Sequence, residues 1–299
     1  MKISRAAAAT GTRSPLPGPL LALIAASSYA TVINLARFSY GEGANAVAAI
    51  ETRMLAAAGA MGLFLLVMRR SFRVPIGVRR PLAEVSLGVF LLTVGYLGSI
   101  TFIPVSLAVV IFYTYPLIVA ALVPLLERSR PSARQLSAFA LAFVGLVLAL
   151  GPSLRGLDGR GIALAFLAAL SATLIFVRSP RVTAELPVQV IGFYVNLGAA
   201  LLMLPVMLAV GPPVGPTSPV GWLALLGVAV FYLTAVTTQF LALGAAGPVR
   251  TALVFNAEPV VALLIAALLL GERLGPTQLG GVALVLLALL LSTLARRRS

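Results

Sequence analysis

The sequence repeats itself at one constant shift of 143 residues. The shift superposes identical residues along both halves: Gly18 on Gly161, Ser28 on Ser171, Ala56 and Ala57 on Ala199 and Ala200, Pro116 on Pro259, and Gln135 on Gln278. The copies differ where polar groups interrupt apolar runs, since Arg53 corresponds to Asn196 and Tyr115 to Glu258. Such a duplication predicts two copies of one structural unit, and the divergent polar positions indicate a site.

The composition indicates a chain that lies in a lipid bilayer. Of the 299 residues, 60% are hydrophobic and 10% are charged, and the mean hydropathy is +1.07, whereas soluble domains carry about 25% charged residues. The net charge of +14 comes from arginines between the apolar runs, so it indicates topology rather than nucleic-acid binding. Cys and His are absent. Disulfides, thiolate and imidazole chemistry and the usual zinc ligands are therefore excluded, and no metal or cofactor is expected.

Ten apolar stretches have the length that a helix needs to cross a bilayer. They cover residues 17–39, 44–68, 82–101, 104–126, 132–150, 160–177, 187–210, 220–242, 246–270 and 275–295. We predict an all-α integral membrane protein: a cytoplasmic N-terminal tail at 1–16, a first five-helix repeat at 17–150 and a second at 160–295. The first stretch is longer than the core of a typical signal peptide and matches 160–177 in mid-chain, so we expect it to be retained.

The basic residues predict the orientation of these spans. With the N-terminus inside, 17 of the 22 Lys and Arg residues fall in cytoplasmic segments, and three, Arg155, Arg160 and Arg273, fall outside. Arg37 and Arg53 lie within spans. Because each repeat has five spans, the second repeat enters the membrane in the opposite direction. We expect ten transmembrane helices as two inverted five-helix repeats in a bacterial inner membrane, with both termini cytoplasmic.

Inverted repeats predict a mechanism. Two homologous halves that exchange conformations can open a site between them, near the membrane midplane, first to one side and then to the other. No nucleotide-binding pattern of the form G-x-x-x-x-G-K-[ST] occurs. We therefore expect gradients of substrate or ions to supply the energy. The alternative is that the duplication only builds a stable helix bundle.

Several segments resemble the EamA branch of the drug/metabolite transporter superfamily. The clearest runs Glu258-Pro259-Val260-Val261-Ala262-Leu263-Leu264 and continues in Leu270-Gly271-Glu272-Arg273-Leu274 and Gln278-Leu279-Gly280-Gly281. The first half carries a weaker copy in Tyr115-Pro116-Leu117-Ile118-Val119-Ala120, Glu127-Arg128 and Gln135-Leu136, and Arg53-Met54-Leu55-Ala56 is similar to an Arg-led pattern on the second helix of the family. The resemblance covers the whole chain and implies a ten-helix transporter. Length and short loops are compatible with the YddG-type amino-acid exporters.

Polar residues within the spans fall on single helix faces. They are Ser27, Thr31 and Asn34 on the first span, Thr93 and Tyr96 on the third, Ser106 and Tyr113 on the fourth, Tyr232 and Gln239 on the eighth, and Thr251, Phe255 and Glu258 on the ninth. We expect these faces to line a cavity of hydroxyl, amide and aromatic groups. The alternative, for each Ser and Thr above all, is ordinary hydrogen bonding between helices.

Two charged residues lie deep within spans. Glu258 is halfway along the ninth span, where an ionised side chain costs at least about 2.5 kcal/mol unless it is paired or hydrated. Pro259 removes the next backbone donor and is expected to bend the helix. Arg53 and Glu51 lie about 200° apart around the second span, so we expect Arg53 to reach another partner or bind a carboxylate. The alternatives are a packing role for Glu258 and a structural or interfacial role for Arg53.

These features predict a secondary transporter that exports small metabolites, with amino acids or related amphipathic compounds expected. The predicted cavity residues are Asn34, Arg53, Tyr96, Tyr113, Tyr115, Tyr232, Gln239, Asn256 and Glu258, and the predicted hinges are Pro116 and Pro259. The expected partners are a small-molecule substrate and the lipid bilayer, without nucleic acid, and the expected state is a monomer or weak dimer. The alternatives are an intramembrane transferase, disfavoured because Asp158 is the only Asp, and a non-transporting scaffold.

Overall fold

A computed structural model describes residues 15–129, 133–154, 157–270 and 274–294. Twelve helices and no strand occur in this part of the chain. They are α1 Gly18–Gly41, α2 Ala46–Val67, α3 Ile76–Ser99, α4 Val105–Phe112, α5 Tyr115–Leu126, α6 Ala133–Leu150, α7 Gly159–Thr183, α8 Val188–Val210, α9 Pro219–Ala246, α10 Pro248–Phe255, α11 Ala257–Leu270 and α12 Pro276–Leu294. Outside the described residues lie most of the predicted N-terminal tail, the Gly271-Glu272-Arg273 segment, Arg130, Arg155 and Arg296 to Arg298.

Nine stretches within the described residues are helices long and apolar enough to cross a membrane. The fourth, Val105–Leu126, combines α4 and α5, and the ninth, Pro248–Leu268, combines α10 and α11. The last apolar helix, Pro276–Leu291, is shorter. The predicted all-α, multi-pass membrane protein is confirmed, while the count of ten spans stays a prediction.

The helix boundaries differ from the predicted spans at α3. This helix begins at Ile76, before the predicted 82–101 span, and it contains Pro81. Proline has no N–H to donate to the carbonyl four residues earlier, which belongs to Gly77. The Arg181 guanidinium donates to that carbonyl oxygen at 3.4 Å. A side chain from the end of α7 therefore replaces the missing backbone donor and lets the helix start early.

The repeat of the sequence is also a repeat of helices. The 143-residue shift places Val105–Phe112 on Pro248–Phe255, so α4 corresponds to α10 residue for residue. To within a few residues it also relates α1 to α7, α2 to α8, α3 to α9, α5 to α11 and α6 to α12. The breaks within the fourth and ninth stretches therefore occur at equivalent places.

The chain divides into two compact units, and the first comprises Met1–Phe90 and Arg178–Gly247. Its main contacts join helices from different repeats, α1 with α9 and α2 with α8. The Met61 side chain packs over Gly192 near the end of α2 and the start of α8. At the other end the Asn45 amide oxygen accepts from the Val214 N–H at 3.0 Å. The equivalent helices α2 and α8 are therefore antiparallel.

The second unit comprises Leu91–Val177 and Pro248–Ser299, and its largest helix pair is α6 with α12. Gly281 packs directly against the backbone of Ala149, and Gly145 faces the backbone of Gly281 and Val285. Position increases along one helix as it decreases along the other, so α6 and α12 are antiparallel. Glycine at these positions lets the two backbones approach closely, as at many helix pairs in membranes.

Contacts within the first unit join loops that the sequence places on one side of the membrane. The Thr217 N–H donates to the Glu42 carbonyl at 2.9 Å, and the Ser218 hydroxyl bonds the Glu42 carboxylate. The short connections before α2 and α9 are therefore tied together. Elsewhere in this unit, Arg178 of α7 pairs with Glu84 of α3 at 2.6 Å.

An acidic residue caps the start of α7 in the second unit. The Arg160 N–H donates to the Asp158 carboxylate at 2.8 Å, and the Arg160 guanidinium pairs with it at 2.7 Å. These hydrogen bonds hold the pKa of the Asp158 carboxyl below its usual value. The only Asp of the chain therefore acts as a local helix cap.

Candidate functional site

Seven of the nine predicted cavity residues occur in two groups, one in each unit. The first unit contains an arginine group, defined as Tyr29, Arg53, Asn196, Tyr232 and Gln239. The second contains a glutamate group, defined by Glu258 and a cluster of six aromatic rings, Tyr96, Phe112, Tyr113, Tyr115, Phe176 and Phe255. The predicted residues Asn34 and Asn256 belong to neither group as defined, and their side-chain amides donate to backbone carbonyls a few residues earlier in the chain.

Tyr232 of α9 is the centre of the arginine group. The Arg53 guanidinium carbon lies 4.9 Å from the centroid of its ring, and the Tyr29 ring meets it edge-on at 5.9 Å. The Tyr232 hydroxyl donates to the Asn196 amide oxygen at 2.9 Å. The Tyr29 hydroxyl in turn donates to the Gln239 amide oxygen at 2.6 Å. One connected polar cluster therefore joins α1, α2, α8 and α9.

Hydrogen bonds fix the orientation of this cluster in an apolar surrounding. Asn196 is completely buried, and its amide nitrogen donates to the Gly192 carbonyl at 2.8 Å while its oxygen accepts from Tyr232. Both ends of the amide are used, which determines which atom faces Tyr232. The ring of Tyr232 is thereby held for Arg53. Cation–π contacts stabilise by about 0.5 to 2 kcal/mol, more when they are desolvated.

Arg53 has a buried donor that the described residues leave without a hydrogen bond. Its Nε is buried and has no partner there, and the same is true of Glu51 Oε1 on the same helix. A buried charged donor without an acceptor costs more than a neutral one. The stacked guanidinium thus keeps capacity for an anionic ligand, for which its planar fork is well suited.

The polar residues at the centre of α1 bond the backbone of their own helix. The Thr31 hydroxyl donates to the Ser27 carbonyl at 2.9 Å, and the Asn34 amide donates to the Ala30 carbonyl at 3.0 Å. This is the usual way for such side chains to be satisfied in an apolar helix. Both bonds lie within α1, whereas the alternative was hydrogen bonding between helices, so the role of Asn34 in the cavity stays a prediction.

Six aromatic rings form a continuous cluster in the second unit. Phe112 contacts Tyr96 at 5.7 Å, Tyr113 at 5.1 Å and Tyr115 at 5.2 Å between ring centroids. From Tyr115 the cluster continues to Phe176 at 5.2 Å. Phe176 then meets Phe255 at 5.5 Å. The rings gather side chains from α3, α4, α5, α7 and α10 around one place.

Glu258 faces this cluster from the start of α11. The Tyr113 hydroxyl hydrogen-bonds its carboxylate, and Tyr96 is close enough for an electrostatic interaction with it. Glu258 is half-buried and occupies the first turn of α11. The N-terminal end of a helix favours negative charge. A phenol donor and a helix terminus therefore offset part of the cost of a carboxylate within an apolar stretch.

The predicted hinges lie just after two helix breaks. Pro116 is in the first turn of α5 and Pro259 in the first turn of α11. Proline is tolerated there because the first N–H groups of a helix have no intrahelical acceptor. Within the breaks, the Thr114 hydroxyl donates to the Ile111 carbonyl at 2.7 Å, and the Asn256 amide donates to the Leu253 carbonyl at 3.1 Å. Asn256 thus closes the end of α10.

Sequence reasoning missed several members of both groups. Tyr29 lies two residues from Ser27, about 200° around the helix, so the polar stripe of α1 does not include it. Asn196 carried a signal, because it is the counterpart of Arg53, and both contact Tyr232. Likewise the counterparts Tyr115 and Glu258 both contact Tyr113. In each unit, a divergent pair of equivalent positions meets at one tyrosine.

Comparisons with known proteins agree with this architecture. The model of the EamA-like transporter family matches twice, at residues 16–151 and 159–294. A solved structure described only as "Crystal structure of protein" superposes with a TM-score of 0.80 and is 22% identical, covering 94% of this chain and 99% of that one. At this identity the likeness concerns the fold alone. No curated protein sequence matches.

The fold and the two groups define a multi-pass membrane protein with two homologous halves and polar clusters inside apolar stretches. The family match covers both halves and nearly the whole chain. The chain belongs to the EamA-like transporter family and is a membrane transporter of the drug/metabolite superfamily.

Proposed function

We propose that this protein is a secondary transporter that exports small amphipathic metabolites, amino acids first among them, by alternating access. It acts in a bacterial inner membrane with both termini cytoplasmic, as a monomer or weak dimer. Its ten spans form two inverted repeats. The protein moves its solute unchanged, so it is not an enzyme.

The proposed substrate class rests on the buried guanidinium Nε of Arg53, which lacks a hydrogen-bond acceptor among the described residues. This cation lies on an apolar helix, stacks on Tyr232 and keeps a buried Nε without an acceptor among the described residues. Charged side chains within membrane spans are costly and commonly serve transport. A solute carboxylate would satisfy the donor and neutralise the charge. Arg53 therefore binds the acidic end of the solute.

The glutamate group, taken by itself, supports transport of solutes that carry an amino group. A carboxylate beside several aromatic rings suits an organic cation, because the anion and the ring faces both attract it. Glu258 supplies the anion, and Tyr96, Tyr113 and Tyr115 supply neighbouring rings. The Tyr113 hydroxyl on Glu258 holds this carboxylate in place for an ammonium group.

The helix arrangement supports alternating access. One pair of equivalent helices in each unit, α2 with α8 and α6 with α12, is antiparallel, as an inverted repeat requires. Both repeats have a helix break at the same position, followed by Pro116 or Pro259. Short non-helical points within spans are common where transporters bind solutes and bend. The breaks are the places where each repeat changes its angle.

Counterflow in proteoliposomes tests this proposal. Vesicles with purified protein are loaded with one unlabelled amino acid, diluted into the same labelled compound, and compared with protein-free vesicles. We expect labelled solute to accumulate transiently for at least one amino acid in a panel of acidic, basic, aliphatic and aromatic members. Chromatography of the vesicle contents should recover the solute unchanged. No counterflow for any amino acid would contradict the proposed substrate class, and a chemically altered solute would contradict transport as the activity.

A further inference from the structure

A groove of about 1190 Å³ opens on the first unit, and no member of either residue group lines it. It lies between the start of α3 and the middle of α8, and the residues 72–75 that precede α3 form one end of it. Pockets that hold small molecules usually measure about 300 to 1,000 Å³. The groove is larger than that range and is open along its length, which suits a long amphipathic ligand.

One end of the groove is basic. Arg73 and Arg79 line it and are exposed, and no acidic residue lines it. Arg79 uses its Nε on the Val74 carbonyl at 3.2 Å, and the Arg73 side chain has no ion pair or hydrogen bond with a described residue. The terminal guanidinium nitrogens of both residues are thus available to an anion. Arginine binds phosphate oxygens with two parallel hydrogen bonds.

The neighbouring carboxylate is already occupied. Glu84 of α3 pairs with Arg80 at 3.0 Å and with Arg178 at 2.6 Å. Two other arginines therefore share it, and it does not neutralise Arg73 or Arg79. The excess positive charge at this end attracts an anion from outside the chain.

The rest of the groove is mainly apolar, and several of its side chains are exposed. Leu201 is 56% exposed, and Ile76 is 82% exposed. The floor is Gly198, where an added Cβ would come within 3.0 Å of the Ser86 hydroxyl. The Ser86 hydroxyl bonds the Leu82 carbonyl at 3.2 Å, so it presents little polarity to the groove. A hydrocarbon chain fits such a surface better than water does.

We propose that this groove binds an anionic phospholipid. The phosphate of the headgroup lies between Arg73 and Arg79, and one acyl chain follows the apolar wall of α3 and α8. The basic end of the groove adjoins its apolar part, just as the charged headgroup of a phospholipid adjoins its acyl chains. Basic clusters at the membrane surface bind anionic lipids in this manner. The site is independent of the proposed solute.

Native mass spectrometry of the full-length protein in a neutral detergent tests the site. We would titrate dioleoyl phosphatidylglycerol and, separately, dioleoyl phosphatidylcholine, which has the same chains and no net charge. We expect the anionic lipid to bind at least tenfold more tightly. The double variant R73Q/R79Q should weaken its binding about 30-fold, as expected for two basic residues near a headgroup. R134Q/R250Q removes the same charge from exposed arginines outside the groove and should change binding less than threefold.

A second variant tests the apolar part without a change of charge. Ala83 is exposed on the groove wall, so A83W should fill the groove and weaken phosphatidylglycerol binding, whereas A140W, at an exposed alanine of α6, should not. Equal binding of both lipids, or undiminished binding in R73Q/R79Q, would overturn the proposal. So would undiminished binding in A83W, or displacement of the lipid by inorganic phosphate at equal concentration, since the anion alone would then account for binding.

Discussion

The guanidinium of Arg53 lies over the ring of Tyr232, 4.9 Å from its centroid. The hydroxyl of the same tyrosine bonds Asn196, the residue that occupies the position of Arg53 in the second repeat. One tyrosine therefore holds both members of an equivalent pair, one through its ring and one through its hydroxyl. Divergence of the two copies has left a charge on one and a neutral amide on the other.

The bond between Tyr232 and Asn196 should stabilise the first unit. Y232F removes only the hydroxyl, and N196A removes its acceptor. In a double-mutant cycle we expect a coupling energy of about 0.6 kcal/mol, the average for hydrogen bonds between membrane helices. Reversible unfolding of purified protein measures it. A coupling of zero within error would show that the bond does not hold the tyrosine.

Glu258 should govern the response of transport to pH. E258Q retains the shape and hydrogen-bonding capacity of the side chain but cannot bind or release a proton. We expect it to fold normally, to lower flux about tenfold or more, and to flatten the change of flux between about pH 5 and pH 8. Proteoliposome flux at several pH values is the measurement. Y113F is the matched control, because it removes the hydroxyl donor and leaves the carboxyl group: it should keep a pH-dependent flux. Wild-type flux in E258Q across this range would reduce Glu258 to a packing residue.

The contact between α6 and α12 should require glycine. A Cβ at Gly145 would lie 2.8 Å from the Gly281 carbonyl oxygen. A Cβ at Gly281 would come still closer to the backbone nitrogen of Ala149. G145A and G281A should each destabilise the protein by about 1 to 3 kcal/mol, because backbone atoms cannot move aside easily. Gly280, with nothing within 4 Å, supplies the control. G280A should be neutral or stabilising by up to about 1 kcal/mol. Equal thermal midpoints for G280A and G281A would contradict this packing.

Single cysteines can locate the loops, because the chain contains none of its own. Ser71 lies in the arginine-rich segment between α2 and α3, and Ser153 follows α6; both are exposed. An impermeant thiol reagent added to intact cells should label S153C and spare S71C. Both should react after the cells are opened. Labelling of S71C in intact cells would reverse the proposed orientation.

The sequence predicted the spans well because the length of an apolar run and the thickness of a bilayer are directly related. The predicted hinges Pro116 and Pro259 lie two and three residues after the breaks at Thr114 and Asn256, but hydropathy did not show the breaks themselves, since a run stays apolar through a short non-helical turn. It missed the start of α3 because Arg79 and Arg80 lower the hydropathy of a segment that is nevertheless helical. Hydropathy measures preference for the membrane and not the end of a helix.

The contacts between residues of the two groups were harder to predict from the sequence than the residues themselves. The sequence singled out Arg53 and Tyr232 separately, because each is polar within an apolar run. Their contact depends on the packing of α2 against α9, which no local pattern encodes. The repeat supplied the one long-range clue, the equivalence of Arg53 and Asn196. Two positions that are related by a two-fold axis come together when both lie close to that axis.

The most direct test of the account measures the counterflow of an amino acid and, separately, of the amine formed by its decarboxylation. Both are measured with the wild-type protein and with R53Q. An amine retains the side chain and the ammonium group and lacks only the group that Arg53 is proposed to bind. We predict that the wild-type protein transports the amino acid at least tenfold faster than the amine. R53Q, shown to be folded by its thermal unfolding curve, should lose this preference, mainly because its amino-acid flux is slower. An R53Q protein that keeps the wild-type preference would contradict the assignment of Arg53 to the solute carboxylate.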